Sequence, residues 1–215
     1  MKIVRSALIC LAISLIVFGE QAVARNHALV IGINDYLASI ENLPTLTYAV
    51  PDAVAVKEAL EAKDFEVVIL KDTDARRGAI IAQLAKYSRE LKPEDTLLIY
   101  FAGHGVRQNF GNRSYSYWLT HDTALARLEV DAIRLNHLLD YVIDIPTRRR
   151  ILVLDHCHSG DVNYQQAVAG AGRDGSGTLS ITRNAFALDG FTTDIAAAVQ
   201  EGIIILGAAT DTAYD

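Results

Sequence analysis

Short apolar, β-rich runs alternate with helical patterns along most of the chain, and this alternation limits the fold more than any other feature. Residues 27–33 (HALVIGI), 65–70 (FEVVIL), 96–102 (TLLIYFA), 150–154 (RILVL) and 202–206 (GIIIL) read as five strands. Several are apolar nearly end to end, as expected of strands covered on both faces in a mainly parallel sheet. Between them, residues 51–62 carry Val54, Ala55, Ala59 and Ala62 on a helical pattern, with Pro51 in the first turn, where proline is tolerated, and Asp52 beside it. Residues 75–91 repeat the pattern with Ile80, Ile81, Leu84 and Leu91, and residues 135–143 make a third, shorter helix. Such strand-helix-strand repetition predicts an α/β fold, a three-layer α/β/α sandwich with right-handed crossovers. Ligands of such folds gather at the carboxyl ends of the strands.

The first residues read as separate from that fold. Lys2 and Arg5 precede an almost wholly apolar run over 6–19, and Ala22-Val23-Ala24 supplies the small-x-small pattern that signal peptidase accepts. A secretory signal over residues 1–24, cleaved after Ala24, is expected, leaving 25–215 as one exported domain, secreted or periplasmic. The rival, an uncleaved anchor, needs about 17 or more apolar residues, more than this run offers. Cleavage removes Cys10 and leaves Cys157 as the one remaining cysteine of the two in the sequence. A lone thiol in an oxidising compartment is a liability unless it is buried or used. A disulfide framework is not needed either, since a chain of 215 residues can bury a sizeable core without one. The balance of 20 Lys and Arg against 26 Asp and Glu lacks the excess of cations that a nucleic-acid footprint requires. The chain ends a few residues past its last apolar run, so the domain is expected to be incomplete at its C-terminus.

Two of the runs lead into segments of unusual content. Residues 96–102 continue into Gly103-His104-Gly105, and residues 150–154 into Asp155-His156-Cys157-His158-Ser159-Gly160. If the two strands are parallel neighbours, His104 and Cys157 share one edge of the sheet. A thiol of ordinary pKa, about 8.5, is mostly protonated at neutral pH, and a nearby imidazole raises its thiolate fraction. Glycines on both sides of His104 permit a sharp turn and a close approach to a ligand. The backbone N–H groups of Gly105 and Cys157 are then candidate donors to a developing oxyanion. His156 and His158 do not read as zinc ligands, because adjacent strand residues point to opposite faces and no CxxC or HExxH partner is present.

These segments, YFAGHG and LDHCHSGD, resemble the His and Cys motifs of the caspase-like cysteine peptidases, closest to the metacaspase, paracaspase and bacterial orthocaspase branch, whose Cys motif usually reads D-A/S-C-H-S-G. His104 precedes Cys157 by 53 residues, in line with the caspase spacing of about 50. ALVIGINDY and LTYAVPDA are similar to the first strand and first helix of that family, so the resemblance runs from about residue 26 to residue 161 and weakens afterwards. It implies a caspase-hemoglobinase-like fold and a cysteine endopeptidase with Cys157 as nucleophile and His104 as its acid-base partner.

In that branch the aspartates matching Asp52 and Asp155 line the pocket for the residue before the cleaved bond, which implies Arg or Lys there. An anionic pocket binds Arg through a bidentate contact and repels Asp. Asp155 lies two residues before Cys157 and would face the same side as the thiol in an extended strand end. Asp52 lies at a helix N-terminus, where the dipole favours its ionised form. The plain alternatives are helix capping for Asp52 and an orienting role for Asp155.

One departure is His156, where the family usually has a small residue. Together with the abrupt C-terminus it motivates the alternative of a weak or inactive caspase-like domain that binds peptides without cutting them. The resemblance implies no organic cofactor and no metal ligands among these residues. Many metacaspases require calcium, but the acidic cluster of that site has no match here, so a calcium requirement is neither implied nor excluded. The implied partners are protein or peptide substrates with Arg or Lys before the cleaved bond, with no nucleic acid, and a membrane only through an uncleaved signal segment. His121-Asp122, after the apolar 117–119 segment, resembles the family's short strand beyond the His loop and is given no catalytic role. The glycine-rich stretch 167–177 reads as a mobile loop, and Arg173 within it as a site of autolysis. Arg148-Arg149-Arg150 reads as a solvated helix-to-strand turn, with Arg150 entering the strand.

Overall fold

The computed structural model describes residues 23–37, 43, 45–110, 113–155, 177–180 and 202–207. In chain order its main elements are β1 (Asn26–Gly32), α1 (Ala49–Glu61), β2 (Phe65–Lys71), α2 (Arg77–Glu90), β3 (Thr96–Ala102), β4 (Gly105–Phe110), β5 (Arg113–Trp118), α3 (Leu128–Asp131), β6 (Ile133–Arg134), α4 (Leu135–Ile143), β7 (Arg149–Asp155), β8 (Gly177–Ser180) and β9 (Ile203–Gly207). Five strands form a parallel sheet in the order β2-β1-β3-β7-β9. These are the five runs expected from the sequence, each displaced by no more than one residue at an end.

The runs lack polar alternation because both faces of the sheet are covered. Leu29, Ile31, Leu97, Ile99, Phe101, Leu152 and Leu154 point to one face and pack with Ile80 and Leu84 of α2 and Leu138, Leu139 and Val142 of α4. Ala28, Val30, Tyr100 and Ala102, one residue out of phase, point to the other face and meet Ala49 and Ala53 of α1. The sandwich is therefore α1 over the sheet over α2 and α4. Burying each Leu or Ile side chain contributes about 1.5–3 kcal/mol. Small residues let α1 approach closely. A Cβ on Gly32 would lie 2.6 Å from both the Ala49 carbonyl oxygen and the Ala53 Cβ, so no larger residue fits at that strand end.

α1 starts at Ala49, two residues earlier than its sequence pattern suggested, with Tyr48 as its N-cap residue. Pro51 is tolerated because it falls in the first turn, whose N–H groups have no partner inside the helix. The strand takes up the arginine run one residue earlier than expected. Arg149 opens β7 and its guanidinium reaches the Glu94 carbonyl. The Arg150 guanidinium donates to the carbonyls of Ile145 at 2.7 Å and Ile143 at 3.1 Å, satisfying acceptors that the end of α4 leaves open. Arg150, inside β7 as expected, also acts as a helix C-terminal cap.

A second, antiparallel sheet has the order β6-β5-β4-β8. The sequence pattern does not announce it, and His121-Asp122, likened to a short strand, lie in a turn just after β5. β8 also begins at Gly177, the last residue of the expected loop; residues 167–176 lie outside the described residues. Val106, Tyr117, Leu119, Leu128 and Ala132 form a separate small core behind this sheet. The two sheets are joined by the Phe101 and Trp118 rings, stacked with centroids 4.3 Å apart and planes 6° apart. The chain passes from β3 to β4 through only Gly103 and His104. No described helix is long and apolar enough to cross a membrane.

The amino end of the parallel sheet is closed around Asp95, which is 1% exposed. Its carboxylate accepts the backbone N–H groups of Arg25 and Lys92, each at 2.8 Å. Burial alone would raise its pKa, but these two bonds and the nearby charges of His27 and Arg25 outweigh that and hold it below its ordinary 3.8. On β1, the Ala28 carbonyl accepts the Tyr87 hydroxyl of α2 at 3.0 Å, and burial pushes that phenol up to about 12.

Candidate active site at the carboxyl edge of the parallel sheet

The chain leaves β1 for β2 on one side and returns at β3 on the other, so the order reverses between β1 and β3. In open α/β sheets the crevice beyond such a reversal is the usual binding place. His104 sits there, two residues past the end of β3 and 4% exposed. Its backbone N–H donates to Tyr36 Oη at 2.7 Å, and the two rings lie 5.2 Å apart. Gly103 is required at this turn, because a Cβ there would lie 2.8 Å from Tyr36 Oη and 3.0 Å from the Phe101 ring.

The Leu119 N–H donates to the His104 carbonyl at 3.0 Å. That bond makes His104 and Leu119 a hydrogen-bonded pair of the β4–β5 hairpin, so Gly105, opposite Trp118, falls in the next, non-bonded pair. Its N–H is turned away from β5, on the side where described pairing with β8 starts only at Arg107. A donor facing out of the ladder beside His104 suits the oxyanion role expected of Gly105.

β7 lies directly beside β3, parallel to it, with Asp155 opposite Ala102. The Tyr100 hydroxyl donates to Asp155 Oδ2 at 2.7 Å. Tyr100 belongs to the face that α1 covers, and so the Asp155 carboxylate is held towards that face. Asp52 is half-buried in the first turn of α1. It does not cap the helix. The cap comes from Asn34, whose Oδ1 accepts the Val50 N–H at 3.0 Å, and among the described residues the Asp52 carboxylate makes no hydrogen bond or ion pair. The structure thus puts Asp155 on the α1 face and leaves Asp52 free of the capping alternative.

At this edge Asp72 carries no signal in the sequence, and His121-Asp122, given no catalytic role there, turn out to be structural. Asp72, with a left-handed φ of 40°, accepts the N–H groups of Asn34 at 2.8 Å and Asp35 at 3.0 Å. His121, 5% exposed, donates from Nδ1 to the Asp35 carbonyl at 2.7 Å, and its own carbonyl accepts the Leu37 N–H at 3.0 Å. Asp122 caps α2 by accepting the Arg77 N–H at 3.0 Å. The β1–α1 loop is therefore held by Asp72 and by His121 while Tyr36 holds His104. The only local signal was the Asn34-Asp35-Tyr36 triplet after an apolar strand. Among the described residues no group of three or more His, Cys, Asp or Glu side chains could hold a metal ion. Cys157, with its N–H, and His156, His158 and Arg173 lie outside the described residues, as do residues 1–22 of the expected signal.

Residues 25–211 match the family model described as the caspase domain. The chain belongs to the caspase family. It is thus a member of a cysteine-type peptidase family, and its mainly parallel sheet with flanking helices is the caspase-like α/β fold. Among solved structures, a protein from Geobacter sulfurreducens is similar with a TM-score of 0.53 and 20% identity over 66% of this caspase-family chain and 54% of that one. The structure of pro-sf-caspase-1 aligns with a TM-score of 0.45 and 13% identity, covering 65% of this chain and 48% of that one. At such identities the Geobacter likeness speaks for the fold alone. The chain spans about half the length of these two solved chains. No curated protein matches it.

Proposed function

We propose that this protein is an exported cysteine endopeptidase that hydrolyses peptide bonds after Arg or Lys, with Cys157 and His104 as its catalytic pair. The observation that supports it most is the β3–β7 register. Ala102 and Asp155 are partners on adjacent parallel strands, such strands run about 4.8 Å apart, and His104 and Cys157 each follow their partner by two residues. A nucleophile and its base are needed at such neighbouring positions.

In this mechanism the Cys157 thiol gives its proton to His104 and its sulfur attacks the scissile carbonyl. The N–H groups of Gly105 and Cys157 receive the oxyanion. As the C–N bond breaks, His104 protonates the departing amine, leaving an acyl-enzyme. Water then gives a proton to His104 and its oxygen to the acyl carbon, and the released thiolate recovers the proton. Asp52 and Asp155 supply negative charge for an Arg or Lys side chain. The Tyr100 bond fixes the Asp155 carboxylate from one oxygen and leaves the other to the substrate. Residues 1–24 would direct export, and Arg173, in a glycine-rich stretch of the sequence, would be a point of self-cleavage, read out by mass spectrometry of an active preparation.

The test is a positional library of fluorogenic peptides, run with and without calcium. Turnover confined to peptides with Arg or Lys before the bond, and abolished by Cys157→Ala, is expected. Equal turnover by Cys157→Ala contradicts the proposal. Tight binding of the same peptides with no turnover by the wild type favours the non-catalytic alternative.

A further inference from the structure

We infer that Tyr36 is the positioning residue for His104, and that the β1–α1 loop carrying it ties the catalytic histidine to the helix that bears Asp52. His104 is 4% exposed, and a buried backbone N–H without an acceptor is costly. Tyr36 supplies that acceptor at 2.7 Å from 68 residues away in the chain. The turn is shaped around the hydroxyl, which lies 2.8 Å from where a Cβ on Gly103 would be, too close for one to fit without a shift. The phenol ring also lies against the imidazole, tilted by 41° at 5.2 Å. One hydroxyl therefore limits both the backbone of His104 and the path of its ring.

The loop is itself fixed. Asp72 accepts the two N–H groups just before Tyr36, and His121 grips the Asp35 carbonyl from the other side. Asn34 extends the frame by accepting the Val50 N–H in the first turn of α1, and its carbonyl accepts the Leu46 N–H at 3.0 Å. Any displacement of this segment moves His104 at one end and α1 at the other. A lost Tyr36 bond lets the His104 backbone turn to find another acceptor, which misaims the imidazole without removing any contact to substrate.

The kinetic arm of the test rests on the peptidase reading above, and a second arm does not. In the full chain, Tyr36→Phe is expected to lower kcat on an Arg-terminated peptide about tenfold while KM stays within about twofold, the pattern of an interaction felt in the transition state. The His104 imidazole resonance, assigned by its loss in His104→Gln, is expected to titrate at a different pH in Tyr36→Phe than in the wild type. An unchanged kcat overturns the inference. So does a lowered kcat with an unchanged His104 titration, since the loss would then lie elsewhere in the fold. If the wild type cleaves no peptide, the peptidase reading fails by itself, and the His104 titration decides about Tyr36. Should Tyr36→Phe not fold, Asp72→Ala, which frees both N–H groups before Tyr36, is expected to move the same titration, and an unmoved one overturns the inference.

Discussion

The two ends of the parallel sheet are built from the same strands and put them to opposite uses. At the amino end, Asp95 binds the backbone before β1 and before β3, its carbonyl accepts the Thr147 hydroxyl at 2.9 Å, and the Thr96 N–H reaches the Arg25 carbonyl at 2.9 Å. These bonds close on one another and join the beginnings of β1, β3 and β7. At the carboxyl end the bonds converge on residues of the proposed site: the Tyr36 hydroxyl accepts the His104 backbone N–H, and the Tyr100 hydroxyl donates to the Asp155 carboxylate. One end holds the strands in register, and the other uses that register to aim its residues. Substitutions at the floor should therefore cost stability and spare the rate, and those at the top the reverse.

The largest effect is expected from His104→Ala, which should lower kcat/KM about 1,000-fold, within the range of a lost general acid-base group. Peptide turnover and thermal unfolding followed by circular dichroism check it together, and a collapse of the fold with the rate would break the comparison. Next comes the pair Asp52→Asn and Asp155→Asn. Removing both charges should cost about 100-fold in kcat/KM for Arg peptides, as expected for two charge-assisted contacts, with most of the loss in KM. Titration of rate against peptide concentration separates the two parameters.

A smaller effect, and of the other kind, is expected from Asp95→Ala. It leaves two N–H groups of the floor without their acceptor and should destabilise the protein by about 2–4 kcal/mol in urea unfolding. Turnover per folded molecule should stay unchanged. The same group gives a pH dependence. Its folded pKa lies below 3.8, so its stabilising contribution is complete above that value and is lost as pH falls through the folded pKa. The stability gap between wild type and Asp95→Asn should shrink in acid unfolding below pH 3.8, and a gap that widens there would reverse the sign argued for Asp95.

The same comparison explains what the sequence makes legible. The five strands of the parallel sheet announce themselves because coverage on both faces demands uninterrupted apolar runs. His104 and Asp155 are visible because each follows such a run. The antiparallel sheet escapes notice because β4 and β5 carry Arg107, Gln108, Asn109, Ser114 and Ser116 in place of such a run, and β6 has only two residues. The roles of Tyr36, Asp72 and His121 escape for another reason. Their roles arise from contacts across 68, 37 and 86 residues, and no local spacing encodes them. Asp52 shows the converse: its position at a helix start was legible, but that Asn34 from another segment does the capping was not.

The central claim is that His104 activates Cys157, and the rate of Cys157 alkylation by iodoacetamide at pH 6, read by peptide mapping, tests it most directly. The account predicts a rate far above that of a free thiol of pKa about 8.5, falling to the free-thiol rate in His104→Ala. A wild-type rate equal to that of a free thiol, or a fast rate untouched by His104→Ala, would contradict it.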